Sequence, residues 1–199
     1  MPEPRVRLEN DERRRQLLDL GVDRFGGRPY DDVSIDDIAQ AAGISKGLLY
    51  HYFPTKRAFY AACVAEAAER VLAACTQFDD GATPLERLDR GIAAYLAYVQ
   101  EHGRAYASLM RSGVGVDREI AAIVDETRAK FVGELLEGLG EAIPLTPLMK
   151  IALRGWVGLA EAATLAWIES GVEDGAAVPA AQIKSLLKSA LLAIVARPR

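Results

Sequence analysis

The chain has 199 residues and contains only two cysteines. Cys63 and Cys75 lie twelve positions apart on one predicted helix, so a rise of about 1.5 Å per residue separates them by roughly 18 Å. A disulfide needs Cα atoms within about 7 Å of each other. We therefore expect both thiols to be free, which fits a reduced, cytoplasmic setting.

The common catalytic and metal-binding patterns are also missing. The two histidines, His51 and His102, belong to neither a His-Glu-x-x-His nor a Glu-x-x-His pattern, the spacings that place metal ligands on one helix face. Gly113-x-Gly115 neither follows a predicted strand nor continues into a phosphate-binding fingerprint. We expect no enzyme activity, no metal and no cofactor.

Strands and membrane-spanning segments are not indicated either. Apolar residues recur at a spacing of three and four and do not alternate cleanly with polar ones, which is typical of helices. The N-terminus does not resemble a signal peptide, and we identify no apolar run long enough to span a bilayer. The sequence predicts an all-α protein with no membrane partner.

The net charge of −4 does not by itself favour nucleic-acid binding, because phosphate contacts rely on lysine and arginine. The acidic excess lies in residues 59–199, since residues 1–58 carry ten basic and ten acidic side chains. Five arginines cluster at the predicted first helix, and Lys46, Lys56 and Arg57 lie near later helix starts. A solvated surface of mixed charge is the alternative for the arginines. The acidic residues expected to lie away from DNA are Asp31, Asp32, Asp36 and Asp37.

The most specific pattern is residues 34–57, which predict two short helices joined by a tight turn. Ser34 is a good N-cap for the first helix, and Gly43 can end that helix with a positive φ. Ser45 caps the second helix, and Pro54 ends it after about two turns. This arrangement matches the helix-turn-helix motif, whose second helix enters the DNA major groove with its N-terminal residues at the base edges.

The second helix of the motif contains a glycine that its secondary structure does not need. Gly47 costs about 1 kcal/mol relative to alanine in an exposed helix. Close approach of the backbone to a sugar-phosphate strand would offset that cost. An ordinary helical corner, with its apolar residues in the core, is the alternative. The residues that the motif directs towards DNA are Lys46, Gly47, Leu48, Tyr50 and His51.

A wider set of residues includes this motif and two positions before it, namely Phe25, Gly27, Ser34–Ala39, Ala42–Gly47, Leu49–Phe53 and Lys56. Over Arg14–Phe59 the chain resembles the N-terminal domain of TetR-family transcriptional repressors. The resemblance implies a dimer that binds a palindromic operator and is released by a ligand in the C-terminal domain. It also implies phosphate contacts from Ser34 and Lys56. Position 48 is frequently Thr or Ala in that family, whereas Leu48 favours a thymine methyl. The predicted DNA-binding residues are Ser34, Ser45, Lys46, Gly47, Leu48, Tyr50, His51 and Lys56.

We expect a helix-turn-helix DNA-binding domain over residues 1–58 and a helical ligand-binding and dimerisation domain over residues 59–199, with about nine helices in all. A helix over Asn10–Phe25 precedes the motif, and a long helix from Thr55 to about Phe78 joins the domains. Later helices are predicted from Pro84 to near Gly103, over Arg104–Met110, from Asp117, from Pro147 to Ser170, and over Ala180–Ala196.

The last two predicted helices are apolar on more than one face. Rows of small residues let helices approach closely, so we expect these helices to form a four-helix homodimer interface with their copies. Burial of both helices in a monomer core is the alternative. The predicted interface residues are Gly155, Leu159, Ala162, Ala166, Ile183, Leu187 and Leu191.

A ligand can change DNA affinity only if it binds two conformations differently. Polar and aromatic residues on apolar faces of the middle helices suggest a pocket for a small, largely apolar effector. For each of them a half-buried side chain with a satisfied polar end is the alternative. A helical small-molecule binding or scaffold protein with a structural helix-turn-helix is the competing function. The predicted pocket residues are Tyr95, Tyr98, His102, Tyr106, Met110, Thr127, Phe131, Trp156 and Thr164.

Overall fold

A computed structural model of the protein describes residues 4–78, 81–108, 117–140, 146–173 and 178–196. These residues are largely helical and contain no strand, which confirms the predicted fold class. A short 3₁₀ helix spans Tyr30–Asp32. The α-helices are α1 (Pro4–Gly27), α2 (Ile35–Ala41), α3 (Lys46–Tyr52), α4 (Lys56–Thr76), α5 (Pro84–Ser108), α6 (Arg118–Leu139), α7 (Pro147–Glu173) and α8 (Ala180–Val195).

The helices belong to two compact units. The first unit comprises Met1–Ala68 and Arg104–Ile123, and the second comprises Glu69–Gly103 and Val124–Arg199. Helices α4, α5 and α6 each contribute residues to both units, so each boundary falls within a helix.

Aromatic and aliphatic side chains from α1 to α4 form the core of the first unit. Leu17, Ile38, Leu49 and Phe59, one from each helix, are completely buried. Burying each such side chain stabilises the fold by about 1.5–3 kcal/mol. Gly21 of α1 lies against α4, because an added Cβ would come within 2.6 Å of the Phe59 ring. A close contact between α1 and α4 therefore holds this core together.

The start of α1 differs from the prediction. The helix begins at Pro4 rather than near Asn10. Proline is well tolerated at the first position of a helix, because its missing N–H has no partner there in any residue. The polar first turns of α1 have no apolar stripe, so periodicity alone did not reveal them.

Helix α5 begins as predicted but continues further. Thr83 and Glu86 form the expected capping box: the Thr83 amide donates to Glu86 Oε2 at 2.9 Å, and the Glu86 amide donates to Thr83 Oγ1 at 3.3 Å. The separate short helix predicted after Gly103 is instead the end of α5, with a kink at His102 (φ −111°, ψ 21°). Gly103 does not end the helix. It allows close packing, since an added Cβ would lie 3.3 Å from Ile168.

The core of the second unit joins α5, α6, α7 and α8. Leu153 and Leu187 are completely buried there, and Trp156 Nε1 donates a hydrogen bond to the Leu187 carbonyl at 2.9 Å. Asp89 of α5 accepts hydrogen bonds from Lys184 and Lys188 of α8 at 2.6 and 2.8 Å. Apolar burial and this charge cluster together fix α8 against its neighbours.

Helix α7 is more apolar than the sequence prediction allowed. Residues Pro147–Ser170 are long and apolar enough to cross a membrane by length and composition, with a mean hydropathy of 1.2 over 18 residues. The prediction that no such run exists was therefore wrong on this criterion. Packing within the second unit accounts for part of this composition. Glu161, on the same helix, is bound by Arg128 of α6 through hydrogen bonds of 2.7 to 3.0 Å.

The two cysteines are free, as their spacing predicts, and both are buried. Burial raises the pKa of the Cys75 thiol to about 12. A thiol of that pKa stays protonated at neutral pH and is a poor nucleophile.

Candidate DNA-binding surface

The turn between α2 and α3 has the predicted local geometry. Ser34 Oγ accepts a hydrogen bond from the Asp37 amide at 3.3 Å, and Ser45 Oγ accepts one from the Leu48 amide at 3.1 Å. Gly43 has φ +65°, a conformation that glycine adopts without a steric cost. Each helix of the motif thus begins at a side-chain cap, and the glycine reverses the chain between them.

Helix α3 buries one face and exposes the other. Leu49 is completely buried in the core of the first unit. Lys46, Gly47 and His51 are exposed, and Leu48 keeps 40% of its surface accessible. The exposed residues of the first turn and His51, one turn further on, therefore form an outward surface on α3. The apolar Leu48 is part of this surface. Of the other predicted contact residues, Ser45 is exposed, and Ser34, Tyr50 and Lys56 are half-buried.

Lys46 has a partner that no local sequence pattern indicates. Its Nζ lies 2.8 Å from Asp36 Oδ2, and both side chains are largely exposed. The hydrogen bond to Asp36 raises the pKa of the Lys46 ammonium. Asp36 therefore lies beside the outward surface of α3 and not away from it, because the first turns of α2 and α3 meet across the glycine turn.

Lys56 is anchored at the start of α4. Its Nζ donates to the Asp31 carbonyl at 3.3 Å and lies 4.4 Å from the centroid of the Tyr30 ring. An ammonium carries three N–H donors, so this contact leaves donors for another oxygen. Thr55 Oγ1 accepts from the Ala58 amide at 3.0 Å and caps the helix that carries Lys56.

A side-chain hydrogen bond also joins α3 to α1. Tyr52 Oη donates a hydrogen bond to Asn10 Oδ1 at 3.1 Å. No local pattern predicts a bond between residues so far apart in sequence. It ties the last turn of α3 to α1, next to His51, whose ring meets that of Tyr52 edge-on at 5.7 Å.

Three consecutive arginines of α1 contact the protein itself. Arg13 donates to Gln16 at 3.2 Å, Arg15 pairs with Glu12 at 2.9 Å, and the Arg14 guanidinium lies 5.2 Å from the Phe53 ring centroid. These contacts fit the mixed-charge alternative for this cluster.

The predicted pocket residues do not form one group. Trp156 donates its indole N–H to the Leu187 carbonyl, and the completely buried Thr164 donates its hydroxyl to the Ala160 carbonyl at 2.5 Å. Both donors are used within the second unit, so neither side chain has a free donor for a ligand, which contradicts their assignment to the pocket. Tyr106 belongs to the first unit, and Met110 lies outside the described residues.

The other predicted pocket residues belong to the second unit. The rings of Tyr98 and His102 are 4.4 Å apart at the kink in α5. Burial raises the pKa of the Tyr98 hydroxyl. Tyr95 and Phe131 pack at the edge of the apolar core, and Thr127 is half-buried.

The predicted dimer residues fall into two groups. Leu159 is 40% exposed, and Gly155, Ala162 and Ala166 of α7 are also exposed. On α8, Ile183 is half-buried, whereas Leu187 and Leu191 are 0% and 2% exposed. Leu187 and Leu191 pack in the core of their own chain, so their assignment to the interface was wrong. The large apolar side chains that are exposed on α7 and α8, called the α7–α8 apolar face below, are Leu148, Ile151, Leu159, Leu186 and Leu192.

Comparison with known proteins covers both units. Residues 84–193 match the family model of the tetracyclin repressor-like C-terminal domain, and residues 17–63 match that of the bacterial regulatory proteins of the tetR family. The chain belongs to the TetR family. This family consists of DNA-binding transcriptional regulators, so the matches are to regulators and not to enzymes. The resemblance read from the helix-turn-helix residues is confirmed.

Individual relatives agree with the family assignment. A crystal structure of a tetR-family transcriptional regulator from Streptomyces coelicolor is 34% identical, with a TM-score of 0.79, and the match covers 92% of this chain and 80% of that one. The transcriptional activator FasR of Mycolicibacterium smegmatis is 29% identical over 119 residues, 59% of this chain and 54% of FasR. RutR of Escherichia coli K12 is 24% identical over 143 residues, 68% of this chain and 66% of RutR. The chain thus spans about half to two thirds of the length of these curated relatives.

Proposed function

We propose that this protein is a ligand-responsive transcriptional repressor that binds a palindromic operator as a homodimer in the cytoplasm and is released by a small, largely apolar effector. The proposal assigns DNA binding to residues 1–58 and effector binding and dimerisation to residues 59–199. The observation that carries it is the exposed first turn of α3, where Lys46, Gly47 and Leu48 face outward in a chain of the TetR family.

The chemistry of that turn suits a base-reading surface. Lys46 and Tyr50 supply polar groups near base edges, and Leu48 supplies an apolar group for a thymine methyl. Lys46 must leave Asp36 to reach DNA, and exchanging one exposed ion pair for another changes little in water. Ser34 and Lys56 hold backbone phosphates on either side, which fixes the register of α3 in the groove.

The α7–α8 apolar face supports the homodimer. Leu148 and Ile151 expose 73% and 69% of their surface, and large apolar side chains exposed to this degree favour an interaction site. Next to them, Gly155 and Gly158 have nothing within 4 Å of an added Cβ, which leaves room for a helix to approach the backbone. A second copy related by a two-fold axis covers the same face on both subunits. Two α3 helices then read two half-sites.

The kink in α5 supports an effector site within the second unit. Tyr98 and His102 form an aromatic pair there, and Tyr95 and Phe131 lie at the edge of the apolar core. An apolar wall with a few polar groups is typical of small-molecule sites. An effector bound there releases DNA only if it favours a conformation whose operator affinity is lower.

One relative favours a different sign of regulation. FasR is named a transcriptional activator, so activation is the second candidate. A promoter fused to a reporter gene separates the two: deletion of the regulator raises expression if the protein represses and lowers it if the protein activates.

The test of DNA binding starts from the organism's own genome. Fragments are selected on the purified protein, and the enriched sequence is footprinted. We expect a palindrome protected by a dimer, with an affinity that falls steeply as salt rises. Metabolites are then screened for release of the fragment. A protein that enriches no sequence, or that protects an asymmetric site as a monomer, would contradict the proposal.

A further inference from the structure

A cavity lies beside the start of α2 in the first unit, and no residue of α3 lines it. It is lined by Arg24, Arg28, Val33, Ser34, Asp37 and Ile38. Arg24 comes from the last turn of α1, and Arg28 follows that helix directly. Arg24 Nε is buried in the protein and, among the described residues, has no hydrogen-bond partner. A buried N–H donor without an acceptor costs free energy, so this site favours an acceptor oxygen.

These two arginines differ from the other basic residues of the DNA-binding unit. Within Asn10–Ala68, Arg24 and Arg28 are the only basic side chains for which the structure gives no hydrogen bond, ion pair or ring contact. Each of the others has a partner. Arg13 contacts Gln16, Arg14 contacts Phe53, Arg15 contacts Glu12, Lys46 contacts Asp36, Lys56 contacts Asp31, and Arg57 contacts Asp117.

The charge of the cavity also favours an anion. Two guanidinium groups and one carboxylate, that of Asp37, line it, and no ion pair joins Asp37 to either arginine in the described part of the chain. Ser34 brings a hydroxyl to the same cavity. Arginine presents its N–H groups in a planar fork that matches the oxygens of a phosphate.

We propose that Arg24 and Arg28 bind a phosphate of the DNA backbone next to Ser34, and so extend the operator contact from α3 to the end of α1. This inference rests on the proposed binding of duplex DNA by the dimer. The contact positions the protein on the duplex and carries no base specificity, since a phosphate is common to every sequence.

The test uses the full-length protein and the duplex selected by the wild type. Arg28→Gln and Arg24→Gln each remove one charge, and Arg15→Gln, whose arginine is paired with Glu12, removes the same charge as a matched control. Dissociation constants are measured between about 50 and 200 mM KCl, a range over which phosphate contacts change affinity strongly. Circular dichroism monitors the fold.

We expect the salt dependence to separate the variants. Loss of this phosphate contact in both subunits makes the slope of log K against log salt shallower by at most about 1.8 per dimer, at about 0.9 per phosphate. Binding to a scrambled duplex weakens by the same factor as binding to the selected one. Arg15→Gln retains the wild-type slope.

A folded Arg28→Gln variant with the wild-type slope, or a slope change matched by Arg15→Gln, overturns this inference and leaves the proposed function standing. Failure of the wild type to bind any duplex overturns both. If Arg24→Gln does not fold, the exposed Arg28 decides the question alone, because its side chain is not part of the core.

Discussion

Substitution of Gly47 by alanine tests whether DNA approaches the backbone of α3. An added Cβ at this position has Ser45 Oγ, 3.9 Å away, as its nearest neighbour, so alanine fits without strain. Removing a glycine from a compatible helical position stabilises a protein by about 0.4–1 kcal/mol. For a chain of this size that corresponds to a rise in Tm of about 1–4 °C. The free protein should therefore become more stable.

DNA binding should respond in the opposite direction. If the sugar-phosphate strand contacts the backbone at Gly47, the methyl group displaces it, and steric mismatch of one carbon costs about 1–3 kcal/mol. A loss of this size weakens binding by roughly 5- to 150-fold, since about 1.4 kcal/mol is tenfold. Thermal unfolding followed by circular dichroism and titration of the selected duplex measure the two effects on one preparation.

Gly133→Ala is the matched control for this experiment. Gly133 lies within α6, and an added Cβ there meets nothing within 4 Å. The control should gain similar stability and bind DNA as the wild type does. A Gly47→Ala protein that binds the duplex with undiminished affinity would refute the close approach, and one with a lower Tm would refute the assigned cost of the glycine.

Three further predictions concern the two units. Gly21→Ala should lower stability by about 1–3 kcal/mol, since its Cβ would lie 2.6 Å from the Phe59 ring; an unchanged urea midpoint would count against that packing. Ile151→Glu should yield a folded monomer in sedimentation, because it charges the α7–α8 apolar face; a persistent dimer would require another interface. The pKa of Asp89 is held low by hydrogen bonds from two lysines, so its contribution to stability is complete above an unfolded pKa of about 3.9 and is lost as pH falls through the lower folded value. Asp89→Asn should therefore lower the free energy of unfolding at neutral pH and make it fall less steeply as the pH becomes acid. Equal losses at pH 7 and pH 2 would contradict this account.

The sequence predicted the motif around α2 and α3 because the forces that shape it are local. The Ser34 and Ser45 caps each bond an amide three residues away. Gly43 needs only its own positive φ. These features depend on side-chain chemistry within one turn, so they can be read without knowing the tertiary structure.

Contacts between distant residues could not be read in this way. Lys46 of α3 binds Asp36 of α2, and Tyr52 of α3 binds Asn10 of α1. Periodicity also does not show which face of a helix packs in the core when the helix is apolar all round. Helix α8 is such a case, because it has several apolar stripes. That ambiguity led to the assignment of Leu187 to a dimer interface, although it is a core residue.

The central claim is that the exposed turn of α3 binds the operator. The most direct test measures the affinity of the Lys46→Ala, Tyr50→Ala double variant for the selected duplex. Circular dichroism and the mass in solution are measured on the same variant. The account predicts a folded protein in the wild-type assembly state that has lost specific binding. A double variant that binds the operator as tightly as the wild type would contradict it.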